Sequence, residues 1–205
     1  MAAPAEEKDT GRIEAFSDGV FAIAITLLIL EIKVPHLPPD AGGAVLWTAL
    51  GALWPSYVAF LTSFVTIFIM WANQHAIFHF IRRTDARILY TNGFLLLLVT
   101  FVPFPTALLA EYLDRSAAPA ATAFYAGTFV AIAVGFWVLW LAVIRDRSRL
   151  WSHVTDDMIA TFTRSYRVGV PGYLVATAAA FVNVFVSLGV CAALAVYWIA
   201  VSRHG

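Results

Sequence analysis

Side chains with chemistry to offer gather in two stretches of this chain. RIEAFSDGVFAIAITLLILEIKVP, residues 12–35, places Arg12, Ser17 and Asp18 at the mouth of an apolar run that holds a single further hydroxyl, Thr26. WANQHAIFHFIRRTD, residues 71–85, closes a second apolar run with Trp71, Asn73, Gln74, His75 and His79, and Asp85, Arg87 and Asn92 follow. A carboxylate in a membrane segment costs about 2.5 to 3.5 kcal/mol on insertion scales, so Asp18 should face protein or water and have partners. A network of Arg12, Ser17, Asp18, His75 and Asn92 satisfies buried donors and acceptors among three helices, and its ordinary role is structural glue rather than catalysis. His75 and His79, spaced i and i+4, offer two imidazoles to a metal but lack a matching carboxylate motif, so no metal is assigned. The sequence contains no HExxH, GxSxG, Walker A or glycine-rich nucleotide fingerprint. No enzyme and no cofactor are expected.

These residues must be positioned by membrane helices. Of 205 residues 61% are hydrophobic and only 13% charged, and the mean hydropathy is +0.80, values of an all-α polytopic membrane protein. The formal net charge is zero, which gives no basic excess for nucleic acid. Cys191 is the lone cysteine, which excludes an intrachain disulfide and argues against thiol catalysis. The approach to the first apolar run carries Glu6, Glu7, Asp9, Glu14 and Asp18 instead of a basic leader, so a retained helix is expected and not a cleaved signal.

Against the roughly 20 residues needed to cross about 30 Å of hydrocarbon, the apolar blocks give one domain, residues 1–205, of six transmembrane helices. The expected spans are approximately 13–32, 44–81, 88–113, 120–144, 168–182 and 185–201. Block 44–81 exceeds one crossing, so its 71–79 end should project beyond the lipid core, and Pro55 is a candidate bend. The last two spans should form a tight hairpin turning near Asn183. An even number of spans with the N-terminus inside leaves eleven basic residues in the cytoplasm against two, Lys33 and Arg115, outside, as the positive-inside rule requires.

On a helical wheel of about 100° per residue, with Ile23 at zero, Leu27 falls at about 40°, Leu30 at about −20°, Gly19 at about −40° and Thr26 at about −60°. Ser17 and Asp18 lie elsewhere, at about 120° and −140°. Periodicity alone reads that stripe as lipid contact or helix packing.

The stretch 12–35 closely resembles the Arg-x-x-x-Phe-Ser-Asp signature helix of the transmembrane protein 175 family, the endo-lysosomal potassium channel and its prokaryotic relatives. Agreement extends through Trp71, His75, Phe78, Asp85, Asn92 and the segment Pro103-Phe104-Pro105-Thr106. A single six-span unit resembles the prokaryotic form. The resemblance implies a homotetrameric, potassium-selective or potassium-preferring cation channel in the plasma membrane of a prokaryote, with both termini cytoplasmic. Its partners would be further copies of itself, potassium ions and the bilayer. It further implies that the first helix lines the pore, that Ile23, Leu27 and Leu30 are successive hydrophobic constrictions, and that Thr26 bears on ion selectivity. Arg12, Phe16, Ser17, Asp18, Trp71, His75 and Asn92 match the interhelical network that holds the pore helix. No TVGYG-like segment exists, so selectivity cannot come from stacked carbonyl rings, and a ring of Ile23 side chains reads as a hydrophobic gate. Two alternatives remain: a secondary transporter, and an intramembrane metal or redox enzyme using His75 and His79.

Overall fold

The computed structural model describes residues 10–202. Among them, regular structure is helical apart from one isolated bridge between Ile81 and Leu150. The helices are α1 (Gly11–Leu27), α2 (Gly43–Ala52), α3 (Trp54–His79), α4 (Ala86–Thr100), α5 (Pro103–Tyr112), α6 (Ala118–Ile144), α7 (Asp156–Tyr166), α8 (Gly169–Ala179) and α9 (Val184–Ser202). In hydrocarbon every backbone donor and acceptor needs an internal partner, and helices alone provide that within one segment.

Five stretches of described residues are long and apolar enough to cross a bilayer: Gly11–Glu31, Trp54–His79, Ala86–Tyr112, Ala118–Ile144 and Val184–Ser202. The first extends α1 by a 3₁₀ turn, Leu28–Glu31. Two expectations, for 44–81 and 168–182, need correction. Block 44–81 is not one helix, because the chain breaks at Leu53 before continuing as α3. Pro55 lacks an N–H and would clash with the carbonyl of Gly51, so it is tolerated only in the first turn of a new helix. Segment 88–113 stands as one apolar stretch, Ala86–Tyr112, whose helix is interrupted at Phe101–Val102, where Pro103 and Pro105 remove two donors from the ladder. Segment 168–182 yields only α8, whose 11 residues reach about 16 Å and cannot cross alone. The hairpin turn lies where it was expected: Asn183 Oδ1 accepts from the backbone N–H groups of Phe185 and Val186 at 2.8 and 3.2 Å and caps α9.

Helix α6 is the centre of the bundle. Half of its span is buried, against 22% of α1, and Tyr125, Phe129, Leu139 and Trp140 are enclosed almost completely. Helices α4, α5, α8 and α9 surround it, and α3 packs against α5, α9 and α1. Helix α1 stands at the periphery, on α3 and α4.

The two arginine-rich loops meet at one end. Arg82 and Arg83 donate backbone N–H groups to Arg149 O at 2.8 and 3.1 Å, and Trp151 N–H donates to Phe80 O at 3.1 Å. Arg149 also joins Asp146 at 2.9 Å and Asp85 at 3.5 Å, while Asp85 caps α4 by accepting from Ile88 N–H at 2.9 Å. Ser148 and then Arg149 hold the Asp146 carboxyl below the ordinary carboxylate value. At the opposite end a crevice of about 490 Å³ gathers Glu31 and Lys33 after α1, Pro55 of α3 and Glu111 of α5.

Candidate functional site

Helix α1 has two unlike faces. Ser17, Phe21, Ala24 and Leu28 recur at helical spacing and are buried to 1% exposure or less against α3 and α4. Their wheel angles, about 100° to 160° from Ile23, mark a single packed arc. The opposite side is bare: Ile23 is 61% exposed, Leu27 42% and Leu30 60%, and Gly19 and Thr26 are exposed with them. Gly19 meets nothing within 4 Å of where a Cβ would stand. The stripe named from periodicity is therefore the face that this single chain leaves without a partner.

Thr26 is placed on that face with its hydroxyl donating to the carbonyl of Ile23 at 2.9 Å. The donor is consumed inside the helix, and both lone pairs of the oxygen stay free to accept or to meet a cation. Exposed Ile29, at 52%, lies about 120° round the helix from Ile23. The uncovered arc is thus wider than the stripe.

The polar residues below the stripe separate into two chains instead of one network. The buried chain crosses three helices: Gln74 donates to Asn92 Oδ1 at 3.1 Å, Asn92 Nδ2 donates to Ser17 Oγ at 2.9 Å, and Ser17 donates to Ile13 O at 2.8 Å. All three side chains are 1% exposed or less, so each bond replaces one that water cannot supply. The exposed chain joins α1 to α3 by Trp71 Nε1 donating to Asp18 Oδ1 at 2.7 Å. His75 then stacks on Trp71 with ring centroids 5.8 Å apart, and its Nε2 lies 3.0 Å from Nε2 of His79.

Asp18 is therefore partnered by Trp71, not by His75 or Arg12. Arg12 is exposed and makes no hydrogen bond or ion pair among the described residues, and Phe16 is 66% exposed. Both fall within about 20° of Ile23 on the wheel, on the uncovered side. Gln74 belongs to the buried chain although the signature did not contain it, and its position one turn from Trp71 in a run of amides was the available signal.

A second buried polar cluster escaped the sequence reading. Ser63 of α3 shares hydrogen bonds with Thr106 of α5 at 2.7 Å and Tyr125 of α6 at 3.0 Å. Thr106 also donates to Val102 O at 2.8 Å, across the break beside Pro103. Isolated hydroxyls in three apolar runs carry no pattern that pairs them. Among the described residues no group of three or more His, Cys, Asp or Glu side chains is arranged to hold a metal ion.

Comparisons with known proteins bear on the family of the chain. The family described as "Endosomal/lysosomal potassium channel TMEM175" matches residues 12–103, which run from the signature arginine of α1 to the start of α5. A potassium channel of Chamaesiphon minutus is 53% identical over 94% of this chain and 95% of its own length. One from Streptomyces collinus is 44% identical over 93% of this chain and 91% of its own. A crystal structure of a lysosomal potassium-selective channel TMEM175 homolog from Chamaesiphon minutus superposes with a TM-score of 0.83, at 53% identity, covering 94% of this chain and 97% of the other. The family and these relatives are channels, not enzymes.

Proposed function

Because the chain belongs to the TMEM175 potassium channel family, we propose that it is a potassium-preferring cation channel built from four copies, each contributing α1 to a central pore. One observation carries the reading: α1 buries one face in its own subunit and leaves Gly19, Ile23, Thr26, Leu27 and Leu30 without a partner. Four such faces brought to a common axis give successive apolar rings of Ile23, Leu27 and Leu30. The ring of Thr26 oxygens lies between the first two in sequence.

An apolar ring offers a cation no ligands and resists wetting, so Ile23 acts as a gate and a size barrier. Selectivity is weak and arises while the ion keeps part of its hydration beside Thr26, whose proton is held by the Ile23 carbonyl. Asp18 does not line the path in this reading. It anchors α1 through Trp71, while Asn92 locks the buried side through Ser17. Arg12 and Phe16, within about 20° of Ile23 on the wheel, continue the stripe toward the cytoplasmic mouth of the path.

In this reading the protein sits in the plasma membrane of a prokaryote, with the arginine-rich loops and both termini in the cytoplasm, an orientation that the excess of basic residues on that side supports. Helix α8, continued across Arg167–Val168 by the last turn of α7, makes the sixth crossing, with Arg164 and Arg167 at its cytoplasmic mouth. The crevice end then faces outward, and Glu31, Glu111 and Asp114 there enrich cations against Lys33 and Arg115. That enrichment is small at physiological salt.

The test is a planar-bilayer recording of purified protein under potassium and sodium gradients, with Ile23→Asn as the probe of geometry. Electrodiffusive current with a reversal potential favouring potassium is expected, and Ile23→Asn should raise it by admitting water to the ring. If Ile23 faces lipid instead, the amide costs stability and leaves current unchanged. Flux coupled obligatorily to protons would make the protein a secondary transporter.

A further inference from the structure

His75 and His79 have a geometry that the pore-helix anchor does not use. They occupy the last turn of α3, both rings exposed, beyond the long apolar run and beside the arginine-rich loops. Their Nε2 atoms converge to 3.0 Å, with ring centroids 4.6 Å apart and planes at 85°. Two neutral imidazoles hold that distance when one Nε2–H donates to the other. The same distance also fits a shared metal ion. With metal–nitrogen bonds of about 2.0 to 2.1 Å, nitrogens 3.0 Å apart subtend roughly 90 to 97° at the metal. A tetrahedral centre needs a wider angle, of about 109°, whereas a right angle is the cis angle of tetragonal and octahedral ions such as Cu²⁺ and Ni²⁺.

The surroundings supply what two ligands lack. His75 is fixed from behind by the stacked Trp71 ring, at 5.8 Å and 18°, and Trp71 is held in turn by Asp18. The stacking restricts how the His75 ring can turn. His79 borders a cleft of about 180 Å³ with Phe80, Trp151, His153, Val154 and Met158, room enough for the waters that would complete the coordination. We propose that His75 and His79 form a two-imidazole site for a divalent first-row transition-metal ion, with Ni²⁺ and Cu²⁺ preferred and water in the remaining positions. Occupancy bridges one turn of α3 directly behind the Trp71–Asp18 contact, so it stiffens the attachment of α1. The proposal stands apart from the channel reading, because binding alone tests it.

The chain, purified in detergent without a histidine tag, is titrated with Ni²⁺ by isothermal calorimetry, and its melting temperature is followed with and without the ion. One Ni²⁺ per chain is expected, with an affinity at least tenfold lower in His79→Gln and in His75→Gln, and unchanged in His153→Gln and His36→Gln. His79 lies outside the anchor, so His79→Gln should keep the metal-free melting temperature of the wild type and lose only the rise that Ni²⁺ produces. Absence of binding in the wild type, equal binding in His79→Gln, or an equal loss in His153→Gln would each overturn the two-imidazole site.

Discussion

Thr26 shows how much one side chain's orientation decides. Its hydroxyl proton is spent on Ile23 O, so Thr26→Val removes an acceptor oxygen from the exposed stripe while keeping the shape. A severalfold fall in the potassium-to-sodium permeability ratio is expected from reversal potentials; an unchanged ratio would move selectivity to the apolar rings. Asp18 is a different case, a carboxylate whose recorded bond is to an indole. Asp18→Ala should destabilise the protein by about 1 kcal/mol, as should Trp71→Phe, with the double mutant costing little more than either. Additive losses in a thermal-shift cycle would mean that the two side chains act separately. The sequence showed that Asp18 must have a partner, because a lone carboxylate at a helix mouth is costly. It did not show which, because Trp71 is 53 positions away and only the packing of α1 on α3 brings the indole within reach.

At the scale of elements, α1 is attached by polar bonds along one edge and by Phe21, Ala24 and Leu28 along the rest of its buried face. Asn92 is the central member, since it accepts from Gln74 and donates to Ser17. Asn92→Leu strands the Gln74 amide in a dry interface and should cost about 1 to 3 kcal/mol. Tyr125→Phe leaves Ser63 and Thr106 bonded to each other, so its cost should be nearer the roughly 0.6 kcal/mol typical of hydrogen bonds between membrane helices. Chemical melts of the two variants should rank them in that order, and the reverse order would make the Ser63 cluster the stronger tie. The apolar runs made the helices legible, and the interruption at Asn183 marked a turn that the structure places there. Proline's effect was foreseen as a bend at Pro55 but not as a full break, because the missing donor is visible in sequence while the relief of the Gly51 clash depends on where α2 goes. Length misled at 168–182, where an apolar run was equated with a crossing although its helical part is 11 residues.

For the whole molecule, the proposed four-chain channel raises the question of how its copies would share the uncovered arc of α1. That arc reaches from Asp18 at about −140° through Ile29 at about −120° to Leu27 at about 40°, roughly half of the helix. A pore axis can occupy only part of it, and neighbouring subunits or lipid must take the remainder. Ile23, Leu27 and Leu30 lie within about 60° of one another and so can face an axis together, whereas Ile29 cannot join them. Cysteines placed in a background lacking Cys191 separate these arrangements. A charged, water-soluble thiol reagent applied during conduction should modify Ile23→Cys and Leu30→Cys quickly and block current, and should reach Ile29→Cys at least tenfold more slowly. Ala24→Cys makes a poor control, because Ala24 is 1% exposed and would be shielded by its own subunit in any assembly. Ile29 is the stronger comparison, being about as bare as Ile23 in the single chain, so any difference between them must come from what the neighbours cover. Faster modification at Ile29→Cys would turn the helix by about 120° and run the ion path along Ala22, Thr26 and Ile29. Asp18 would then stand at its mouth, and the carboxylate would be an ion ligand instead of an anchor.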